Sequence, residues 1–427
     1  MKLNYKQTFL IGFGFFATSI AWSIYNGYVP PMLNQLGISS TLVGFIMSID
    51  NIFGVVFQPA FGALSDRTRT RFGRRMPFIF IGIPLCAAVF ALVPSMSGQL
   101  WTLMATVIAF NFIMSTWRAP VVALMPDLTP APLRSKANGI INLMGGVGSL
   151  IAFVIGGQLA NMAGDGAPFY LSSIVMVAAL LVLVFFVREP ALAPRADLWQ
   201  GQDDKPAPKK EEEHFTLSRG EKISLGLILA AIFFWFAGYN AVETFYTLYA
   251  TNTLHEASGE FISTGSATML LAFFSVSFIA VALPAGILGG RIGRRRTILI
   301  GLVAVTALFI PMFFVKDLMM LRVLLLVGGA FWAFVNINSL PMVVELAGHA
   351  RIGTFTGYYY VASFSAAIIS PILFGLIHDL TKNYSLIFIY AAVAFVLAIV
   401  CMAFVRHGES SPEQKVGAMD ALAMSDD

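Results

Sequence analysis

Charged side chains are scarce in this sequence of 427 residues, and that scarcity excludes most soluble proteins. Asp, Glu, Lys and Arg make up 12% of the chain, hydrophobic residues make up 57%, and the mean hydropathy is +0.78. A soluble protein needs about twice this charged fraction to cover its surface. The charges are also collected in short clusters between long apolar runs, a pattern typical of a protein that crosses a membrane many times.

Cysteine is nearly absent, which excludes a disulfide framework and a cysteine-based zinc site. Cys86 and Cys401 lie inside apolar runs, and neither has a CxxC neighbour. A Walker motif and a metal-ligand cluster are also missing, so we expect no cofactor, no metal and no use of ATP. The net charge of +4 does not indicate a nucleic-acid partner, because basic residues collect in the loops of membrane proteins for topological reasons.

The apolar runs predict an all-α membrane protein with twelve transmembrane helices, in two pseudo-symmetric bundles of six. A span needs about 20 apolar residues to cross the hydrocarbon core of a bilayer. The predicted spans are 8–33, 41–64, 77–97, 100–126, 138–163, 167–187, 223–252, 261–288, 296–315, 319–343, 352–378 and 384–405.

One long polar stretch divides the spans into six and six. It contains the letters KPAPKKEEE, and this composition is typical of a flexible linker. The predicted units are an N-terminal bundle at 1–187, a linker at 188–222, a C-terminal bundle at 223–405 and a tail at 406–427.

The distribution of basic residues predicts the orientation in the membrane. All but four of the 27 lysines and arginines lie at the termini, in the linker, or after spans 2, 4, 8 and 10. The exceptions are Arg118, Lys316, Arg322 and Lys382. Because basic residues are enriched on the cytoplasmic side, we expect both termini and the linker in the cytoplasm of a cell (inner) membrane.

The two halves repeat each other, which indicates an internal duplication. PAFGALSDR at 59–67 precedes a turn ending in GRR, and PAGILGGR at 284–291 precedes GRRR. Asp127 after span 4 matches Glu345 after span 10, each followed by a basic residue and a glycine. Transporters built from two such halves bind solute between them near the bilayer midplane.

GALSDR at 62–67 resembles the loop signature of the major facilitator superfamily. Its extension TRTRFGRRMPF at 68–78 resembles the sucrose–proton symporters and the glycoside–pentoside–hexuronide cation symporters, as ALMPDL at 123–128 does more weakly. The resemblance implies an alternating-access carrier that takes up a sugar. The sequence departs from these symporters at Asn111, where they carry an aspartate, and at Gly54 and Gln58, where the paired cation-site carboxylates fall.

The same resemblance implies gates on the cytoplasmic side, made of carboxylates and guanidinium groups that separate and pair again as the halves move. The alternative is that the basic residues only set the topology. The predicted gate residues are Asp66, Arg67, Arg74, Arg75, Asp127 and Arg134 in the first half, and Glu345 and Arg351 in the second.

Asp50 and Glu243 are predicted to be the residues that couple transport to protons. Each lies about nine or ten residues inside a span, a depth at which an ionised carboxylate is costly and usually functional. Glu243 shares a helix face with Asn240 and stands near Tyr239, so it is also predicted to bind solute, since sugars need acceptors, amides and an aromatic wall. The alternatives are a carboxylate that ties helices together and one that only hydrates a cavity.

Arg118 is predicted to touch Asp50, Glu243 or the solute, because a guanidinium does not lose its charge. A switching ion pair and a permanent structural one are equally supported for it. The remaining predicted solute ligands are an amide in span 4 and two aromatic–amide pairs at i, i+4 spacing, and packing is the alternative for the tryptophans. They are Asn111, Trp22 with Asn26, and Trp332 with Asn336.

These observations predict a transporter, and no enzymatic activity, whose partners are the bilayer, a small solute and the proton. The expected solute is a neutral glycoside or oligosaccharide. An uncoupled facilitator, a proton-driven exporter of another solute, and a transporter-like sugar sensor remain as alternatives.

Overall fold

The computed structural model describes residues 3–130, 133–187, 189, 218–346 and 352–406. This part of the chain contains no β-strand, and two isolated β-bridges are its only strand-like pairs. Its long helices are α1 (Tyr5–Gln35), α2 (Ser40–Arg67), α3 (Met76–Leu92), α4 (Leu100–Leu128), α5 (Arg134–Ile151, extended below), α6 (Ala167–Phe186), α7 (Arg219–Thr253), α8 (Thr264–Ile292), α9 (Arg294–Phe314), α10 (Leu318–Glu345), α11 (Ile352–Thr381) and α12 (Leu386–Phe404).

The predicted all-α fold with twelve membrane helices is confirmed. Eleven of the helices described here are long and apolar enough to cross a membrane, and α3 is a shorter apolar helix of 17 residues. α3 ends before Val93 because a 3₁₀ turn at Pro94–Met96 follows. α5 continues past Ile151 through a π-helical segment, Ala152–Gly156, to Gly157–Ala163.

Several helices begin where a polar side chain satisfies the free amides of the first turn. Ser218 and Glu221 form a capping box, in which each side chain accepts a hydrogen bond from the other residue's backbone. This cap starts α7 four residues before the predicted span, because hydropathy marks only the part of a helix that lies in hydrocarbon. Ser39 and Ser263 cap α2 and α8 with one bond each, accepting from the backbone amides of Leu42 and Ser266.

The helices alternate between two faces of the molecule. The basic face carries Arg67, Arg74 and Arg294, and the opposite face carries Ser40, Asp165 and Asp379. We call α1–α6 the first set and α7–α12 the second set. The sets meet along α2 with α11, α5 with α8, and α1 with α7.

Glycines bring the two sets into backbone contact near the opposite face. A Cβ atom at Gly44 of α2 would overlap the Pro371 carbonyl of α11, and one at Gly375 would overlap the Ser40 carbonyl. Gly157 of α5 and Gly265 of α8 also approach each other too closely to leave room for a Cβ atom. Such contacts let helix backbones approach within a membrane, where packing rather than water drives association. The opposite face is therefore closed.

Candidate solute-binding site

A cavity of about 300 Å³ lies between the two sets, bordered by α1, α5, α7, α8, α9, α10 and α12. This volume is at the lower end of the range for small-molecule sites. Most of the wall is apolar, including Leu271, Phe278 and Met312, and its polar groups are Ser23, Ser149, Tyr239, Glu243, Ser275 and Asn336. Four residues predicted to bind solute therefore line it, namely Tyr239, Glu243, Trp332 and Asn336.

Tyr239 and Trp332 form a stacked aromatic pair in the wall of this cavity. Their ring centroids are 4.7 Å apart and their planes differ by 3°. Phe236 packs edge-on against Trp332 at 6.0 Å, which holds the indole in place. Glu243 follows Tyr239 by one helical turn and Asn336 follows Trp332 by one turn, so each ring has a polar neighbour on its own helix.

Glu243 is linked to the first set by a hydrogen bond. Asn26 on α1 donates from Nδ2 to Glu243 Oε1 at 3.3 Å. Both side chains are partly accessible, and among the described residues no cation pairs with Glu243. Asn26 does not itself line the cavity, but it contacts the carboxylate that does.

Asp50 lies on α2, outside the lining of the cavity. Its Oδ1 accepts hydrogen bonds from the backbone amide and the side-chain amide of Asn51, each at 2.6 Å. It is within electrostatic range of both Glu243 and Arg118. The two predicted carboxylates therefore share one electrostatic neighbourhood between the sets. Asn51 was not among the predicted residues, because a neighbour in sequence gives no periodic signal.

Arg118 is free of ion pairs in this conformation. No carboxylate of the described residues lies within pairing distance of its guanidinium, which sits 5.6 Å from the centre of the Trp22 ring. Trp22 packs edge-on against Tyr25 at 5.4 Å. Arg118 and Trp22 do not line the cavity. The guanidinium, whose charge is permanent, is within electrostatic range of Asp50 but forms no ion pair with it.

Asn111 and Asn240 turn away from the cavity. Asn111 is 1% exposed, and its Nδ2 donates to the Tyr25 hydroxyl at 3.1 Å. Its Oδ1 has no hydrogen-bond partner in the described part of the chain. Asn240 donates to the carbonyl of Phe236 on its own helix at 2.7 Å, an arrangement that satisfies the amide without solute.

Four of the six predicted gate residues of the first half, Asp66, Arg74, Arg75 and Asp127, form one network on the basic face. Arg75 pairs with Asp66, and it donates from Nε to Asp127 at 2.9 Å. Arg74 also pairs with Asp127 at 2.7 Å. Arg134 donates to the Thr129 carbonyl at 3.2 Å, and Arg67 is exposed at the end of α2.

Glu189 belongs to this network, although sequence reasoning assigned it to the linker. Its buried carboxylate accepts hydrogen bonds from the backbone amides of Arg75 at 2.8 Å and Met76 at 3.2 Å, at the start of α3. Glu189 therefore joins the end of α6 to the start of α3. The only sequence signal for this role is that Glu189 closely follows an apolar helix, and this position does not indicate which residues it contacts.

The second half places a simpler pair on the basic face. Arg294 pairs with Glu345, and its Nη1 donates to Asn338 at 3.4 Å. Arg351, the predicted second member of this gate, lies outside the described residues.

On the opposite face, four residues form what we call the α2–α11 latch: Ser40, Thr41, His378 and Asp379. Asp379 accepts hydrogen bonds from the backbone amides of Ser40 at 2.8 Å and Thr41 at 2.9 Å, and from the Thr41 hydroxyl at 2.6 Å. His378 Nδ1 lies 2.7 Å from Ser40 Oγ, and its ring stacks on Tyr384. A carboxylate of one set thus caps a helix of the other. The sequence assigned His378 no role.

A second contact closes the same face between α5 and α8. Thr264 donates to Asp165 at 3.0 Å, and Ser263 donates to Asn161 at 2.6 Å. Asp165 lies in the loop between α5 and α6, where burial raises the pKa of its carboxyl group. Together with the latch, these bonds hold the two sets together at the opposite face.

Comparisons with known proteins agree on one family. The sequence model of the Major Facilitator Superfamily matches residues 11–270 and 258–422. The multidrug resistance protein MdtG of Salmonella typhi is 25% identical over 340 residues, covering 77% of this chain and 78% of that protein. MdtG of Yersinia enterocolitica is 26% identical over 341 residues, covering 77% and 76%.

Two solved structures share the fold. A bacterial homolog of the human lysosomal transporter Spinster, in an inward-facing and occupied conformation, has a TM-score of 0.69 and 15% identity, covering 95% of this chain and 97% of that one. The nucleoside transporter NupG has a TM-score of 0.70 and 14% identity, covering 94% and 100%. At these identities the likeness concerns the fold alone.

Proposed function

This chain belongs to the major facilitator superfamily, and from that premise we propose that it takes up a neutral glycoside in symport with protons. The family establishes that the chain is a multi-pass membrane transporter of a small solute. We propose in addition the glycoside as solute, the proton as coupling ion and uptake as the direction of transport.

The observation that carries the proposal is the Tyr239–Trp332 pair beside Glu243 and Asn336 in one cavity. A sugar presents a face of C–H groups, which packs against aromatic rings, and an edge of hydroxyls, which need acceptors and amides at fixed positions. The stacked pair offers the first surface. Glu243 Oε2, Asn336 and the serine hydroxyls of the wall offer the second.

The apolar remainder of the wall favours a solute that also has a hydrocarbon part. Leu271, Phe278, Leu308 and Met312 suit an alkyl or aryl group of a glycoside better than a second sugar ring. The same wall, together with the MdtG relatives, which are described as multidrug resistance proteins, supports a second candidate. This is a proton-driven exporter of lipophilic solutes in which Glu243 attracts a cation.

Proton coupling is proposed for Glu243 and Asp50 because both are carboxylates at membrane depth that form no ion pair with any described residue. A proton on Glu243 would remove the cost of enclosing a charge when the sets close around the solute. It would also weaken the hydrogen bond from Asn26, which joins α1 to α7. Arg118 would then compensate Asp50, its remaining charged neighbour.

The mechanism proposed is alternating access between two bundles, residues 1–187 and 223–405. The distribution of Lys and Arg supports a cytoplasmic basic face, with both termini on that side of the inner membrane. In that orientation the closed opposite face is the outer one, and the cavity would exchange solute with the cytoplasm in this state. The Arg75 and Arg294 networks would form the inner gates, and the latch the outer one.

Counterflow in proteoliposomes tests the substrate class. Vesicles loaded with unlabelled alkyl or aryl glycosides, disaccharides, or lipophilic cations are diluted into the corresponding labelled solute. We expect exchange with glycosides and none with lipophilic cations. Exchange with lipophilic cations alone would replace the proposal with the exporter, and binding of sugar without any flux would favour a sensor.

A further inference from the structure

We propose a second binding site, for an anionic phospholipid, in a groove on the outer surface between α5, α8 and α10. The phosphate would pair with the guanidinium of Arg322, and an acyl chain would lie in the groove. This site is separate from the solute cavity and does not depend on the identity of the solute.

The groove has the size and lining of an acyl-chain site. Its volume is about 610 Å³, and its wall combines residues of the first set, such as Leu150 and Val154, with residues of the second. Phe273 is 37% exposed, Val276 is 44% exposed and Leu326 is 40% exposed. These side chains lie on membrane-spanning helices, so lipid is the medium that they meet.

Arg322 stands at the end of this groove nearer the opposite face. It lies four residues after the start of α10, about 6 Å along the helix. It lines both the groove and a smaller adjoining cavity of about 270 Å³, and its guanidinium lies 5.9 Å from the centre of the Phe273 ring. The side chain is exposed, and no carboxylate of the described residues pairs with it.

An unpaired guanidinium at the edge of the hydrocarbon region needs an anion. Its charge is permanent, and its planar fork matches two phosphate oxygens. Phospholipid phosphates lie at this depth of a bilayer, where arginine side chains extend toward the headgroups. The apolar groove suits an acyl chain attached to that phosphate. It offers a free phosphate ion no further partners. Charge and shape together therefore select an anionic lipid.

Glu256 is the carboxylate that such a lipid has to avoid. It lines the smaller cavity beside Arg322, and its described hydrogen bond comes from the Ser266 hydroxyl at 3.5 Å. Since Glu256 does not pair with Arg322, the guanidinium is left available. Glu256 would nevertheless repel the phosphate. Neutralising Glu256 should therefore strengthen lipid binding, whereas neutralising Arg322 should weaken it.

The position of the groove gives bound lipid a conformational effect. The groove is shared by α5 of the first set and α8 and α10 of the second, beside the Asp165–Thr264 contact that closes the opposite face. A lipid in the groove would touch both sets and so favour the closed opposite face over the open one.

Native mass spectrometry of the full-length, delipidated protein tests the site directly. We titrate phosphatidylglycerol and phosphatidylcholine and compare Arg322→Gln with Lys382→Gln, which removes a cation elsewhere on the same face. We expect Arg322→Gln to weaken binding of phosphatidylglycerol about tenfold, the effect of losing one charge-assisted pair, and Lys382→Gln to leave it unchanged. Glu256→Gln should strengthen it, and inorganic phosphate should not compete.

The acyl-chain part is tested by filling the groove. Val276→Trp should weaken binding of phosphatidylglycerol with Arg322 intact, whereas Val393→Trp, at a 56% exposed position on α12, should not. Equal binding by wild type and Arg322→Gln would overturn the proposal. The proposal would also be overturned if the wild type bound phosphatidylcholine as well as phosphatidylglycerol. It would be overturned as well if Val276→Trp and Val393→Trp lost the same share of phosphatidylglycerol binding. Should Arg322→Gln not fold, the comparison of Val276→Trp with Val393→Trp provides the decision.

Discussion

Asn26 on α1 and Glu243 on α7 are 217 residues apart in sequence, yet the asparagine amide donates to the carboxylate at 3.3 Å. This bond joins the two sets at the wall of the solute cavity. It therefore couples the charge of one cavity residue to the relative position of the sets. A proton, a solute hydroxyl and Asn26 all compete for the same two carboxylate oxygens, and this competition is the physical basis of the proposed symport.

Removing the aromatic platform should weaken solute binding. We expect Trp332→Ala to raise the half-saturating glycoside concentration in counterflow about tenfold, because a stacking surface next to Tyr239 is lost. Trp332→Phe keeps a ring and should stay within about threefold of wild type. Trp101→Ala, at a 78% exposed position, is the matched control. Unchanged affinity in Trp332→Ala would remove the platform from the site.

The α2–α11 latch should set the balance between closed and open states of the opposite face. Asp379→Asn weakens the three hydrogen bonds to Ser40 and Thr41, and charge-assisted bonds are the stronger kind. We expect the open population to rise about tenfold.

The measurement is the distance distribution between spin labels at Gln35 and Leu380, with Cys86 and Cys401 replaced by alanine. Glu260→Gln serves as the control, and an unchanged distribution would contradict the latch.

Backbone contact between α2 and α11 should tolerate no side chain at Gly44. Gly44→Ala places a methyl group against the Pro371 carbonyl, and such overpacking costs about 1–3 kcal/mol. We expect this variant to favour the open opposite face and to lose most of its transport. Gly226→Ala is the control, since a Cβ atom there meets nothing within 4 Å. Equal transport by the two variants would show that the faces do not need to close this tightly.

Asp165 should make thermal stability depend on pH. Burial raises the pKa of this carboxyl group, so its charged form is penalised in the folded protein relative to the unfolded chain. The penalty is complete above the folded pKa and absent below the ordinary value of about 4. We expect Asp165→Asn, which can still accept from Thr264, to raise the unfolding temperature at neutral pH, with a difference that shrinks on acidification. Glu260→Gln is the control, and a difference that grows on acidification would contradict the assignment.

The helices could be predicted from the sequence because an apolar run long enough to cross a bilayer is expected to form a transmembrane helix. It also placed Tyr239 near Glu243, and Trp332 with Asn336 at i, i+4 spacing, and all four line the cavity, whereas Asn240, predicted to share the face of Glu243, does not. Spacing along one helix was sufficient for these residues, since neighbours at i and i+4 point the same way whatever packs against them.

Partners on distant helices could not be predicted in this way. The depth of Asn111 in its span predicts a cavity residue. Its amide instead bonds to Tyr25, because α1 packs on α4 at this position. Asp379 meets Ser40 across 339 residues, and Glu189 meets Arg75 across 114. Such pairs depend on how helices assemble, and a single sequence contains no signal of that assembly.

The central claim is that Glu243, assisted by Asp50, carries the proton that drives the solute. The most direct test is proton flux on addition of glycoside to proteoliposomes, measured together with counterflow, for wild type, Asp50→Asn and Glu243→Gln. We expect wild type to acidify the lumen as solute enters, and Glu243→Gln to exchange solute while proton flux falls at least tenfold, because an amide does not titrate. Glycoside-driven proton flux that is unchanged in both variants would contradict the account.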